Sequence, residues 1–160
     1  MVKHLILLLF ILFIGCEMNS EQLIRPENIN FENVKFNAVS KDLKFTNIEE
    51  GLEVETTKKL VKNWFNNNVK IDGFEGNLSI NVTSIKTNKI KRDEYYRFEI
   101  DISIEFLETN EVLNKRKIYK INSIEYGDIK GSFSIKDTEN LNKNIISNSL
   151  KSINQKVSGM

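Results

Sequence analysis

The sequence has one cysteine, one histidine and one proline in 160 residues, with seven glycines. Cys16 and His4 both fall in the first sixteen residues, so the chain from Glu17 onward carries neither thiol nor imidazole. That excludes Ser-His and Cys-His nucleophilic catalysis there, and the His/Cys sites that hold zinc or copper. Acids are plentiful, so hard-cation sites and carboxylate-pair hydrolysis stay formally open, but no motif for either is present. A phosphate-cradling loop is missing too. Gly73-Phe-Glu-Gly76 and Gly127-Asp-Ile-Lys-Gly131 lack the spacing and the following Lys-Ser/Thr, and read as turns. Neither charge sign is in excess, with 23 Lys and Arg against 22 Asp and Glu. Nucleic acid calls for a clustered basic surplus, so it is not an expected partner. No long hydrophobic run exists. The uninterrupted apolar stretch Leu5 to Ile14 has ten residues. As a helix it reaches about 15 Å, half of a roughly 30 Å hydrocarbon core, and does not span. The sequence predicts no metal, no cofactor and no enzyme.

What is there begins with that short run. Lys3 and His4 form a basic head, Leu5 to Ile14 a greasy body, and Gly15 a small residue before Cys16. This is the layout of a secretory signal. Phe13-Ile14-Gly15-Cys16 resembles the lipobox of bacterial lipoproteins, with Phe13 where leucine is commoner. The resemblance implies that signal peptidase II recognises Phe13, Ile14 and Gly15, cuts before Cys16, and leaves the cysteine acylated. Lipidation also answers a chemical question, since a lone thiol in an oxidising compartment invites intermolecular disulfides. Acyl chains add about 0.8 kcal/mol per buried methylene, and two or more anchor stably where one is marginal. Losing Lys3 leaves the mature chain neutral, so attachment to a bilayer rests on acylated Cys16 rather than on a polybasic patch. Glu17 is not the aspartate that marks inner-membrane retention in some bacteria, which favours the outer membrane and a periplasm-facing domain. The expected organisation is a removed signal at 1–15, a lipidated tether at 16–27, and a single α+β domain at 28–160.

The stretch 17–27 is polar and aperiodic and holds Pro26. It reaches at most about 40 Å and spans roughly 18 Å as a coil. A strand is predicted over 29–38, its alternation slipping by one residue near Asn33, followed by a loop over 39–46. A helix capped around Thr46 is predicted over 48–67, with Thr57, Leu60, Val61, Trp64 and Phe65 on one stripe. Trp64 on that stripe reads as core rather than as a ligand-stacking platform. Three strands follow, over 77–89, 95–105 and 113–126, joined by short turns as an antiparallel meander. The middle one alternates cleanly, with Tyr96, Phe98, Ile100, Ile102 and Ile104 on one parity. A loop over 127–136 tucks Phe133 and Ile135 under the core. A second helix capped by Asp137 presents Leu141, Ile145, Ile146, Leu150, Ile153 and Val157. One apolar sheet face and two striped helices close as a two-layer sandwich in the order β-α-β-β-β-α, a mainly antiparallel four-stranded sheet with both helices on one face.

That element order over 28–157 is similar to small lipoproteins serving envelope machines: the LPS-assembly lipoprotein, the auxiliary lipoproteins of ABC-type transporters, and small Gram-negative lipoproteins with a tryptophan late in the first helix, here Trp64. The resemblance implies a non-catalytic accessory or scaffolding subunit with an envelope protein as partner. Tyr95, Arg97, Glu99, Asp101 and Glu105, on the polar parity of the middle strand, form the candidate contact face. Two other readings make different demands. A lipid or small-ligand carrier needs a dry cavity of several hundred Å³. A carboxylate hydrolase needs two acids about 5–9.5 Å apart in a cleft.

Overall fold

A computed structural model describes residues 30–159. Its centre is a four-stranded sheet made of β2 (Ser40–Phe45), β4 (Asn77–Lys91), β5 (Tyr95–Asn110) and β6 (Lys115–Lys130), in the order β2-β4-β5-β6. β5 is antiparallel to both β4 and β6, whereas β2 runs parallel to β4. Two short strands, β1 (Val34–Phe36) and β3 (Val69–Ile71), form a separate parallel pair. Helices α1 (Leu52–Asn68) and α2 (Ile135–Ser158) pack on one face of the large sheet. The fold is α+β, with a mostly antiparallel sheet under two helices.

Strict alternation in β5 places this core. Phe98, Ile100, Ile102, Ile104 and Phe106 are all buried beneath the helices. Leu78, Ile80, Val82 and Ile85 of β4 meet them, with a bulge between Val82 and Ser84 absorbing the change of phase. From above, α1 contributes Val54, Thr57, Val61, Trp64 and Phe65, and α2 contributes every apolar residue of its predicted stripe. Trp64 is core: its ring stands edge-on to Phe106 at 6.5 Å, and its Nε1–H donates to Asn154 Oδ1 at 2.9 Å. Asn154 Nδ2 in turn donates to the Glu32 carbonyl. One buried amide thereby links both helices to the N-terminal segment.

The N-terminal third departs from the expected single strand. The slip of parity near Asn33 falls just before β1, which pairs with β3. The change of sheet comes later, between Phe36 and Ser40, where the chain enters β2 beside β4. The stretch expected as a loop over 39–46 holds β2. Its pattern was masked by charge, because Lys41 points toward the helices rather than to water. The Lys41 ammonium donates to the Phe65 carbonyl at 2.9 Å and to the Val69 carbonyl, satisfying acceptors at the end of α1. Burial depresses its pKa below the usual lysine value, with Lys70 adding repulsion. Helix α1 starts later than expected, after Gly51, because Thr46 spends its hydroxyl on Asn81 Oδ1. Asn47, at φ 57°, turns the chain out of β2.

At the other end, β6 runs on through Gly127–Lys130, which had been expected as loop. Gly127 is where α2 comes closest: a Cβ there would lie 2.7 Å from Leu141 Cδ1. Helix α2 is capped by Ser134, not Asp137, and Asp137 completes a capping box by accepting from the Ser134 backbone N–H at 2.9 Å. Hydrogen bonds from the Ser134 hydroxyl and then from its backbone N–H hold the Asp137 carboxyl below the usual carboxylate range. Phe133 packs on Tyr96 at 5.3 Å, but Ile135 does not tuck in and is exposed. Strand β6 closes the large sheet on one side, and Lys156 of α2 reaches across to donate to its Asn122 carbonyl at 2.7 Å. No helix among the described residues is long and apolar enough to cross a membrane.

Candidate functional site: the uncovered sheet face

Among the described residues, helices cover one side of the large sheet only. The odd-numbered residues of β5 alternate onto the other side, which puts Tyr95, Arg97, Glu99, Asp101 and Glu105 on one surface. They are half-buried rather than freely solvated, because β4 and β6 flank β5 along its length. Register brings Lys86 and Asn88 alongside from β4, and Lys120, Ile124, Tyr126 and Asp128 from β6.

Arg97 is the best-fixed side chain there. Its Nε and Nη2 donate to the two oxygens of Asp128, each at 2.8 Å. The guanidinium lies 4.3 Å from the centre of the Tyr126 ring and 5.7 Å from that of Tyr95. A planar cation held by a two-point carboxylate contact and bracketed by aromatic rings is a preorganised recognition group. The hydrogen bonds from Arg97 hold the Asp128 carboxyl below its usual range, and Asp128 raises the Arg97 pKa. Elsewhere Glu105 pairs with Lys120 at 3.3 Å, and Glu99 accepts from Asn88 Nδ2 at 3.4 Å.

Asp101 is different. Opposite Lys86 and Ile124, its Oδ1 is shut away from water and accepts no hydrogen bond. A covered, unsatisfied oxygen costs about 1–3 kcal/mol. Asp101→Thr, which removes the carboxylate and suits a strand, is therefore expected to raise stability by about 1 kcal/mol in urea denaturation. A loss instead would show that the carboxylate has a partner in solution.

A second concavity lies between the first turns of the helices. It is an open groove of about 510 Å³, lined by Leu52, Lys89, Phe133 and Ile135 and edged by Glu53, Glu139 and Lys143. The Lys89 ammonium sits 4.9, 5.3 and 5.6 Å from the ring centres of Tyr96, Phe98 and Phe133, so this chain's own cation occupies the aromatic cluster. The groove is neither enclosed nor dry, as a carrier's cavity would be. Its two glutamates face two lysines, so it presents balanced charge. Among the described residues, no three His, Cys, Asp or Glu side chains are grouped to hold a metal ion.

No protein-family model matches the chain, and no curated protein matches it in sequence. Solved structures do. Its structural neighbours are small bacterial lipoproteins. The minor lipoprotein of Acinetobacter baumannii is 12% identical over 77% of this chain and 93% of its own, with a TM-score of 0.43. Rare lipoprotein B of Shewanella oneidensis is 10% identical over 74% and 89%, at 0.39. Uncharacterized lipoprotein B of Nitrosomonas europaea is 12% identical over 91% of both chains, at 0.42. Overlaps this loose transfer neither a residue's role nor an activity.

Phe13, Ile14, Gly15 and Cys16 lie outside the described residues. Within them, the sequence reading missed Tyr126 and Asp128, the partners of Arg97. The signal was available: Ile118, Lys120, Asn122, Ile124, Tyr126 and Asp128 share one parity, and a strand continued past Gly127 places them on one face. Glycine at 127 argued against that continuation.

Proposed function

We propose that this chain is a lipid-anchored bacterial envelope protein, held to a membrane through acylated Cys16, with the outer membrane favoured, and facing the periplasm. It acts as a non-catalytic accessory or scaffolding subunit of an assembly or transport machine. The observation that carries the second half is the uncovered sheet face with its Arg97–Asp128 clamp between Tyr95 and Tyr126. Arginine and tyrosine are the residues on which interface energy concentrates. Tyr95, Arg97, Glu99, Asp101 and Glu105, joined by Tyr126 and Asp128, are the proposed protein-contact surface.

The test has two arms in intact cells. Cys16→Ala is expected to abolish fatty-acid labelling and leave a precursor that still carries residues 1–15. Equal labelling of wild type and variant sinks the anchor. A photoreactive crosslinker at Glu99, which is partly exposed, is expected to capture one discrete envelope protein, and Tyr126→Ala to weaken that capture without lowering the melting temperature. Capture unchanged by Tyr126→Ala moves the contact to another surface.

A further inference from the structure

At one end of the sheet, three large apolar side chains point into water from turns. Phe74, in the loop joining β3 to β4, is 97% exposed, and Val112 and Leu113, in the turn joining β5 to β6, are 76% and 56% exposed. The loops adjoin, since Asn110 Nδ2 donates to Glu75 Oε2 at 3.3 Å and Gly76 packs against the Thr109 carbonyl. The β5–β6 turn is braced. The Leu113 N–H donates to Asn110 Oδ1 at 2.9 Å, the Asn114 N–H donates to the Glu111 carbonyl, and Asn114 takes a left-handed φ of 48°. Polar residues thus build the turn, and its apolar pair has no part in holding it. Lys115, Arg116 and Lys117 follow directly as one exposed basic run, while the acids of this end, Glu75, Glu108 and Glu111, are spread over the β3–β4 loop and the β5–β6 hairpin.

We propose that this end docks on a bilayer carrying anionic lipid, with Phe74, Val112 and Leu113 entering the headgroup region and Lys115–Lys117 meeting the lipid phosphates. The proposal rests on the reading of Cys16 as the anchor and adds a second contact that fixes how the domain stands. Reach permits it. Residues 17–29 separate Cys16 from Asn30, which lies in a cleft beside Asn63, Trp64 and Leu150. That stretch extends to at most about 45 Å. From Asn30 the chain runs to Ala38, whose carbonyl accepts from the Gly73 N–H at 3.2 Å, a path of no more than about 30 Å. The opposite end also exposes Leu52 and Ile135, but there they line the charge-balanced groove between the helix starts, and Glu49, Glu50, Glu53 and Glu55 crowd the start of α1.

The experiment uses the full chain, processed and lipidated in its host, in vesicles of phosphatidylethanolamine and phosphatidylglycerol with or without acyl-brominated lipid. Trp64, 1% exposed in the core, is the only native tryptophan and serves as an internal control. Leu113→Trp and Phe74→Trp each add a second indole at an exposed position. The expected result is that brominated lipid removes most of the added emission and leaves that of the wild type unchanged. Protein that floats with the vesicles while the added tryptophan stays unquenched overturns the docking and leaves the anchor standing. Wild-type chain that fails to float, as Cys16→Ser also does, overturns the anchor and the docking with it.

Discussion

Ile102→Asp unfolds the domain. Ile102 is fully buried at the middle of the central strand, in register with Ile85 of β4 and Ser123 of β6. A carboxylate there meets hydrocarbon from the helices above, and the inward-pointing Lys41 is already committed to carbonyls at the end of α1. Burying an unpaired charge costs several kcal/mol, and a domain this size has about 5–15 to lose. In circular dichroism the variant is expected to have no cooperative melt, or one shifted far down. Glu99→Lys, on the opposite face and partly exposed, is expected to melt within a degree or two of wild type. If Ile102→Asp melts like wild type while Glu99→Lys does not, the inward and outward faces of β5 are interchanged, and both the core and the proposed contact surface fall with them.

Trp64→Ala carries the next largest loss. The indole is almost wholly buried, stacks edge-on against Phe106, and holds Asn154 through its N–H. Truncation leaves a cavity and an unpaired amide oxygen together, for an expected loss of about 3–5 kcal/mol in urea denaturation. Trp64→Phe separates the two effects by keeping most of the volume and removing only the donor. It is expected to cost about 1–2 kcal/mol. Equal losses from the two variants would mean that the hydrogen bond, not the packing, dominates. A loss below about 1 kcal/mol for Trp64→Ala would mean that the helices do not meet here.

The elements that the sequence displayed plainly are those whose side chains obey one rule throughout. In β5 every second residue is apolar, and in α2 the stripe from Leu141 to Val157 never breaks, so class, layer order and central core were legible. The rule fails where a residue does two jobs. Lys41 points inward to satisfy the end of α1, so β2 looks like a loop. Gly127 sits mid-strand because α2 leaves no room for a side chain, so β6 looks too short. Ile118, Ile124 and Tyr126 lie on the uncovered face, so the parity of β6 looks mixed. The contact face suffered most from the second and third. Its β5 half could be named from alternation alone, while Tyr126 stood at the apparent end of β6 and Asp128 lay beyond it. The pairing of β2 with β4 joins positions far apart in the chain, and a local pattern carries no record of that.

The bond from Lys156 to the Asn122 carbonyl bears on how this protein avoids polymerising. An outermost strand of sixteen residues offers a row of free amides and carbonyls, a template on which another molecule could add its own strand. Lys156 fills one place in that row with an ammonium group, near the middle where β6 is least charged. An incoming strand would have to displace the amine from that carbonyl. Lys115, Lys117, Lys120 and Lys130 discourage the approach toward the two ends. If the chain is anchored as proposed, its copies would meet side by side on a lipid surface far more often than in free solution. Sideways extension of the sheet along β6 is thereby disfavoured.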